Sequence, residues 1–256
     1  MSFKMAMLRD ACAAFLLVMF LAACPTGPHG PGTPSPTPVE RRPVEQPAAP
    51  EVPRHEGRPY DVASSESLLT ILAFRGGAFA KAGHNHVIAA HDLSGTVYVP
   101  DDVTHSTFEL RFSVAQLAID EPELRANEGA DFPPDVPDAA KEGTRRNMLS
   151  EALLNGAQYP DITLECERIE AGAAGTATQA QVRVAIRGQT HSVAVPVRYE
   201  LRSDRLVASG ELAIKQSELG LTPFSAMMGA LQVQDELHIR FHLVAHAAQV
   251  HGAAGT

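Results

Sequence analysis

Tryptophan, basic clusters and aromatic residues are absent or scarce in this chain of 256 residues. There is no tryptophan, and aromatic residues make up 5% of the sequence, so stacking platforms for bases or sugars are poorly supplied. The formal net charge is −9, and no block of lysine and arginine offers the contacts that nucleic-acid phosphates require. These absences predict that the protein has no nucleic-acid partner.

The sequence also lacks a hydrophobic run long enough to cross a membrane as a helix. The apolar run 11–23 has 13 residues, whereas a membrane-spanning helix needs about 20. Lys4 and Arg9 precede this run, and a charged start followed by a short apolar segment is typical of a secretory signal peptide. We therefore predict a signal peptide over residues 1–23.

The predicted signal runs into the tetrad Leu-Ala-Ala-Cys, which resembles a bacterial lipobox. This resemblance implies that Cys24 is lipidated and becomes the mature N-terminus, which would attach the protein to the periplasmic side of the cell envelope. Pro25 follows the cysteine in place of aspartate, and the resemblance then implies an anchor in the outer membrane. The alternative is a cleaved signal in which the cysteine is incidental.

Cysteine is scarce, and its positions leave no pair for an internal disulfide. Cys12 belongs to the predicted signal, Cys24 would carry lipid, and Cys166 stands alone. The apolar neighbours of Cys166 indicate a buried thiol that packs as a small hydrophobe. A reactive thiol would instead need exposure and basic neighbours.

Proline is concentrated at the start of the predicted mature chain. Eleven of the nineteen prolines lie between Pro25 and Pro59, and such a segment cannot bury enough apolar surface to fold. We therefore predict a disordered linker over 24–59, a folded domain over 60–246 and a flexible tail over 247–256.

The folded domain alternates apolar and polar residues with period two, which indicates β-strands with one buried face. In the segment THSTFELRFSV, Phe108, Leu110 and Phe112 share one face, and Glu109 and Arg111 share the other. The same alternation occurs in QVRVAIR, HSVAVPVRYEL and DELHIRFHLVAH, and further strands are expected at 68–74, 94–99, 161–169 and 206–214. This many alternating strands predict an all-β fold, with an antiparallel sheet closed into a barrel or a sandwich.

Two other local features accompany the strands. A hairpin is expected around Gly188-Gln189, between two alternating runs. One amphipathic helix is expected over 144–156, with Thr144 as its cap and Asn155-Gly156 as its stop. The acidic, proline-rich loop before this helix, which begins at Asp120, is long for a compact domain, and such loops are usually functional or mobile.

The order of these segments resembles the YceI-like family of bacterial periplasmic proteins. The residues that carry the resemblance are Tyr159–Thr163 (YPDIT), Ile186–Thr190 (IRGQT) and Leu219–Leu221 (LGL). The resemblance extends over about 60–245 and implies a lipocalin-like antiparallel barrel that encloses a long isoprenoid chain. The chain departs from the family at Met148, where histidine is common, and at Leu153-Leu154, where paired phenylalanines are frequent. These departures bear on the ligand more than on the fold.

An eight-stranded barrel has room for interior side chains or for one small ligand. The inward-facing rows are apolar and uncharged, so an apolar or amphiphilic guest is expected, such as a polyisoprenoid, a quinone or a lipid. The predicted lining residues are Phe108, Leu110, Phe112, Leu164, Val184, Ile186, Val195, Val197, Leu212, Ile214, Ile239 and Phe241. The segment Pro223–Leu231, with its methionine pair, is a candidate mouth. The alternative is a solid core, in which case the protein would be a structural component of the envelope.

Three of the eleven histidines lie within eight residues of one another. His84 and His86 share a face if their segment is a strand, which is acceptable geometry for zinc or copper, and they are the candidate metal ligands. Asp92 and Glu66 are candidate carboxylate partners. The alternative is that the two histidines form a polar edge of the barrel and cap backbone groups there.

Two functions therefore remain open. The first is a lipid-anchored binding protein without catalytic activity or a resident cofactor, which holds an apolar or amphiphilic molecule in its interior. The second is a metal- or redox-linked enzyme or sensor that uses His84 and His86.

Overall fold

The computed structural model describes residues 55–170 and 178–248. The predicted signal peptide (1–23), the predicted lipidation residue Cys24 and most of the predicted linker lie outside the described residues, as does the predicted tail from residue 249 onward. Within the two described ranges, no helix has the length and apolarity that a membrane span requires.

Strands make up most of the described chain. They are β1 (Arg58–Val62), β2 (Leu68–Gly76), β3 (His86–Ala90), β4 (Ser94–Val99), β5 (Thr107–Ser113), β6 (Ala118–Ile119), β7 (Asp161–Glu170), β8 (Thr178–Ile186), β9 (Gln189–Leu201), β10 (Arg205–Lys215), β11 (Ser225–Ala226) and β12 (Leu231–Ala247). Two α-helices, α1 (Pro122–Ala126) and α2 (Asp138–Leu149), lie between β6 and β7. Short 3-10 turns occupy Ser64–Glu66, Ala80–Ala82, Val103–His105, Val114–Gln116, Gln216–Leu219 and Met227–Gly229.

Eight of the strands form a closed antiparallel barrel. The hydrogen-bonded order is β1-β4-β5-β7-β8-β9-β10-β12, and β12 pairs back with β1, so that Ala247 lies opposite Tyr60. Neighbouring barrel strands follow one another along the chain, apart from the short strands β2, β3, β6 and β11, which lie outside this order. The predicted lipocalin-like antiparallel barrel with one amphipathic helix is therefore confirmed, and the sandwich alternative is wrong.

The first three barrel strands are each interrupted near the middle. A short turn separates β1 from β2, another break separates β3 from β4, and a third separates β5 from β6. The detached pieces β2, β3 and β6 pair with one another and extend the sheet from β12, where β2 pairs with the residues from Gln232 to His242. This extension brings the start of β3, where the histidine cluster lies, next to the chain that follows β6.

The strand pattern agrees with the period-two alternation in the sequence. The predicted segments 68–74, 94–99, 161–169 and 206–214 fall within β2, β4, β7 and β10. The predicted hairpin joins β8 to β9, but its two-residue loop is Arg187-Gly188, one residue earlier than expected. Both loop residues have positive φ, 50° and 70°, as the tight hairpin turns that match strand twist require.

The helix begins six residues before the predicted start at 144. It starts at Asp138, directly after Pro137, because proline has no backbone N–H and clashes with the preceding turn in a helix interior. Thr144, expected as the cap, lies mid-helix, and its hydroxyl donates to the carbonyl oxygen of Ala140 at 3.1 Å. Gly143, a poor helix former, obscures this first half of the helix in the sequence.

The same helix also ends six residues before its predicted stop. α2 ends at Leu149, because Ser150 has an extended backbone, with ψ of 161°. Its hydroxyl donates to the carbonyl oxygen of Asn147 at 2.7 Å, which satisfies one of the free carbonyls at the helix end. The predicted stop, Asn155-Gly156, lies instead in the turns that lead to β7, where Asn155 has a φ of 47°.

Hydrophobic side chains pack in two separate places. The larger cluster occupies the barrel interior. The smaller one lies on the outer face of β2 and β3 and consists of Leu72, Phe74, Val87, Leu124 and Phe132. The acidic segment before α2 thus packs against the barrel wall, and its Phe132 is only 4% exposed.

Candidate functional site: a barrel cavity with a polar end

The barrel encloses a cavity of about 560 Å³. All twelve predicted lining residues border it: Phe108, Leu110, Phe112, Leu164, Val184, Ile186, Val195, Val197, Leu212, Ile214, Ile239 and Phe241. The interior is therefore not packed solid, as the alternative interpretation of these side chains required. Their contact with a ligand stays a prediction.

The alternation of each strand explains why these side chains face inward. On β8, Val182, Val184 and Ile186 line the cavity, whereas the intervening Arg183 is exposed and forms an ion pair with Glu165 at 2.8 Å. Other lining residues were not predicted, because they lie on interrupted strands or outside regular strands. Examples are Leu69, Ile71, Ile88, Met148 and Leu153.

One end of the cavity is polar. The polar residues that line it there include Arg75, His84, His86, Thr144, Asn147 and Gln216, most of which hydrogen bonds and close contacts connect through Gly83 and Gln234. They come from the end of β2, the start of β3, the helix α2 and the 3-10 turn that follows β10. Because these elements meet at the same end of the barrel, a molecule in the cavity would have its apolar part in the lumen and one terminus beside these groups.

His86 is held in place by a buried carboxylate. Its Nδ1 lies 2.7 Å from Oδ2 of Asp120, and the Asp120 side chain is not exposed at all. The other oxygen of Asp120 accepts the backbone N–H of Val87 at 2.9 Å. Since the ionised carboxylate can only accept, the proton is on Nδ1, and Nε2 of His86 lies toward Thr144 Oγ1 at 3.4 Å.

A buried arginine completes the environment of Asp120. Nη1 of Arg125 donates to Oδ1 of Asp120 at 2.5 Å and to the carbonyl oxygen of Asn85 at 2.6 Å. Burial acts to raise the pKa of Asp120, but the hydrogen bonds from His86 and Val87 and the charge of Arg125 together lower it. Asp120 is therefore ionised at neutral pH and keeps the ring of His86 in one orientation.

His84 packs against His86 at the same end of the cavity. The two ring centroids are 4.5 Å apart, edge to face. Nε2 of His84 is buried and has no hydrogen-bond partner among the described residues. Burial is the main cause that lowers the pKa of His84, and the neighbouring His86 adds to it. The ring is therefore neutral at neutral pH.

The remaining histidines and the expected carboxylate partners lie elsewhere. His91 is exposed and pairs with Glu121 at 2.7 Å. Asp92 accepts the backbone N–H of Ser113, and Glu66 contacts His246 and Arg205. The expectation that Asp92 or Glu66 is the partner of the cluster is therefore wrong. The carboxylate partner of the cluster is Asp120. This residue directly follows β6, which pairs with β3 and so brings it next to His86.

The histidine cluster contains residue types that bind metals, but its other contacts disfavour metal binding. One potential ligand atom each from His84, His86 and Asp120 lies within 4.8 Å of the others, and two imidazoles with a carboxylate suit zinc. However, Asp120 already accepts hydrogen bonds from three groups. The guanidinium of Arg125 also places a positive charge beside it, which would repel a cation.

The structure also describes the candidate mouth and the single cysteine of the folded domain. In the candidate mouth Pro223–Leu231, the residues that line the cavity are Phe224 and Leu231. The methionine pair is exposed instead, with Met227 at 63% and Met228 fully exposed. Cys166 is half-buried, and burial raises the pKa of its thiol, as expected of an unreactive cysteine.

Comparison with known proteins identifies a sequence family and several similar solved structures. Residues 60–245 match the family model of the YceI-like domain. The crystal structure of BcnA from Burkholderia cenocepacia is similar, with a TM-score of 0.53 at 19% identity over 72% of this chain and 99% of that one. At that identity the likeness shows the fold alone. Among curated proteins, none matches the chain by sequence.

Two further solved structures share less similarity. A polyisoprenoid binding domain from Saccharophagus degradans has a TM-score of 0.47 and 12% identity, over 74% of this chain and 98% of that one. The YCEI protein of Campylobacter jejuni has a TM-score of 0.46 and 10% identity, over 63% and 85%. The family match, which spans most of the described barrel, is the finding that decides membership. This chain belongs to the YceI-like family.

Proposed function

We propose that this protein is a binding protein that holds an elongated apolar chain, such as a polyisoprenoid or the tail of a quinone or lipid, inside its barrel. The observation that carries the proposal is the cavity of about 560 Å³ and its apolar lining. Each methylene moved from water into such an interior contributes roughly 0.8 kcal/mol. A hydrocarbon chain therefore needs no specific polar contact along its length, and the proposal includes no catalytic step.

The proposal includes attachment to the bacterial envelope. The predicted signal peptide, the predicted lipidation of Cys24 and the proline-rich composition of 24–59 support it. An extended chain of proline-rich composition rises about 3.1 Å per residue, so the linker could hold the barrel up to roughly 100 Å from the membrane. The barrel would then be an anchored carrier or store on the periplasmic side of the outer membrane.

The ligand test uses the full-length protein, extracted after expression in a bacterial envelope. Organic extraction and mass spectrometry should recover an apolar compound in stoichiometric amount. Val195→Trp places a large ring in the lumen, and Ala194→Trp places the same ring on the exposed face of the same strand. The compound should disappear from the first variant and remain with the second. An empty extract from the unsubstituted protein would contradict the proposal.

The anchor is tested separately by Cys24→Ala. The substituted protein should be released from the membrane pellet into the soluble fraction after cell disruption, and it should lack the mass increment of an attached lipid. Cys166→Ala is the matched control and should remain in the pellet. A Cys24→Ala protein that still sediments with the outer membrane would overturn the proposed attachment.

A second candidate function is supported by the cluster of His84, His86 and Asp120, whose ligand atoms lie close together. In this candidate, a transition metal binds there and the protein is a metal-linked sensor or enzyme. Elemental analysis of the full-length protein, purified without chelators, should then show one zinc or copper per chain. The metal should be lost from the double variant His84→Ala/His86→Ala and retained in His238→Ala/His242→Ala, whose histidines are exposed on β12. A protein without stoichiometric metal would exclude this candidate.

A further inference from the structure

The polar end of the cavity contains a hydrogen-bond acceptor that no group among the described residues satisfies well. Asp120 accepts the Nδ1 proton of His86, so in the neutral ring Nε2 carries a lone pair. The nearest hydroxyl, that of Thr144, is 3.4 Å away, and it already donates to the carbonyl oxygen of Ala140. Nε2 of His86 therefore has acceptor capacity left for a group in the cavity.

Donors lie beside this acceptor. Nε2 of His84 is buried and has no partner among the described residues; the nitrogen can donate or accept, depending on which tautomer the ring adopts. Arg75 lines the same end of the cavity and uses Nη1 to donate to the carbonyl oxygen of Gly83 at 2.8 Å. Its other guanidinium nitrogens are further potential donors. The end thus offers an acceptor together with donors, which is the complement of a hydroxyl group.

The buried charges behind this end compensate each other, and the lone pair of His86 favours a group that donates a proton. Asp120 and Arg125 form a buried ion pair and compensate each other. A phosphate or carboxylate would place an oxygen lone pair against the lone pair of His86 Nε2, whereas a hydroxyl donates a proton to it. Arg75 is partly buried at the cavity wall, and its positive charge would attract an anion there, so the comparison of an alcohol with a phosphate is the decisive one.

We propose that His84, His86 and Arg75 form a subsite for the neutral hydroxyl head group of an amphiphile whose hydrocarbon chain fills the barrel. His86 accepts from the hydroxyl, and His84 or Arg75 donates to its oxygen. Asp120 is a positioning residue, because it orients His86 and does not border the cavity. This inference rests on the proposed function and adds the class of ligand, an isoprenoid alcohol or a similar lipid alcohol.

The test compares three matched C15 probes: farnesol, the hydrocarbon β-farnesene and farnesyl phosphate. The full-length protein is held in phospholipid nanodiscs, and binding is measured by displacement of a fluorescent apolar dye, with partition into empty discs subtracted. The unsubstituted protein should bind farnesol more tightly than farnesyl phosphate. His86→Phe keeps the ring but removes Nε2, and it should weaken farnesol binding about tenfold, as expected from one hydrogen bond. The binding of β-farnesene should not change.

His238→Phe is the control, since it makes the same substitution on an exposed histidine of β12; it should change the binding of none of the three probes. If His86→Phe fails to bind β-farnesene and is therefore misfolded, His84→Phe provides the same comparison. The subsite is overturned if both histidine variants bind farnesol as the unsubstituted protein does, or if farnesyl phosphate binds more tightly than farnesol. Failure of the proposed function would look different, because no probe would bind above the empty discs.

Discussion

Nη1 of Arg125 lies 2.5 Å from Oδ1 of Asp120, and neither side chain has any exposed surface. This pair connects α1 to the residue that directly follows β6. Through Asp120 it also reaches His86 at the polar end of the cavity. Taking two charges out of water costs several kcal/mol per ion, and additional hydrogen bonds to the pair offset part of this cost. Here the carbonyl oxygens of Asn85 and Pro133 accept from Nη1 and Nε of Arg125, whereas its buried Nη2 has no partner among the described residues.

Removal of one partner of this pair should be strongly destabilising. Arg125→Met leaves Asp120 buried without its cation, and we expect the free energy of unfolding to fall by about 3–5 kcal/mol. Urea denaturation of the full-length protein provides the measurement. Arg183→Met breaks an exposed ion pair with Glu165 and should cost about 1 kcal/mol or less. Equal losses in the two variants would show that the buried pair has no special role.

Acid should destabilise the protein through the same carboxyl. The pKa of Asp120 is lower in the folded state than its ordinary value, despite burial, because of the hydrogen bonds from His86 and Val87 and the charge of Arg125. A lowered folded-state pKa contributes stability that is fully present above the unfolded value, about 3.9. That stability is lost as the pH falls through the folded-state pKa. Urea denaturation as a function of pH should show this loss, and Asp120→Asn should lack it. An identical pH dependence in both proteins would refute the assignment.

The hairpin between β8 and β9 should not tolerate a side chain at Gly188. Gly188 has a φ of +70°, and an added Cβ would lie 2.7 Å from Cε1 of Tyr159. Gly188→Ala should therefore lower the free energy of unfolding by about 1–3 kcal/mol. Gly143→Ala is the opposite control: its Cβ would meet only Nη2 of Arg146 at 3.9 Å, and alanine favours the interior of α2 by about 0.5–1 kcal/mol. Thermal or urea unfolding should show the two substitutions shifting stability in opposite directions.

Cys166 should react slowly in the folded protein. Its Sγ lies 3.5 Å from the carbonyl oxygen of Ser106, and burial raises the pKa of the thiol. Because the thiolate is the reactive form, alkylation by iodoacetamide near neutral pH should be severalfold slower in the folded chain than in urea. Mass spectrometry of the peptide that contains Cys166 gives both rates. Rapid alkylation without denaturant would indicate an exposed, activated thiol.

Local patterns in the sequence were sufficient to predict which side chains of the strands face inward. Alternation on β8 and β9 placed Val184 and Val195 on the inner face, and both border the cavity. The helix was also expected, but each of its ends was displaced by six residues: Gly143 weakened the signal in its first half, and the extended backbone of Ser150 ends it before Asn155-Gly156. The interruptions between β1 and β2 and between β3 and β4 had no signal in the period-two pattern, since each half keeps its own alternation.

Only part of the polar end of the cavity could be predicted from the sequence. His84 and His86 stood out as a pair, but their partners lie far along the chain: Asp120 is 34 residues from His86, and Thr144 is 58 residues away. Asp120 also adopts a φ of 55°, a conformation that a non-glycine residue keeps only where its surroundings hold it. Such a residue has no local motif from which its role could be predicted.

The sequence by itself determined that the domain would consist of strands with one apolar face, because a side-chain period of two depends only on neighbouring residues, and the tertiary structure decided that these strands close into a barrel. Only the tertiary structure decided that the interior stays open and that one of its ends is polar. Both properties depend on where distant segments meet: the size of the lumen on how eight strands close, and the polar end on the contact of β3 with α2 and with the buried pair of Asp120 and Arg125.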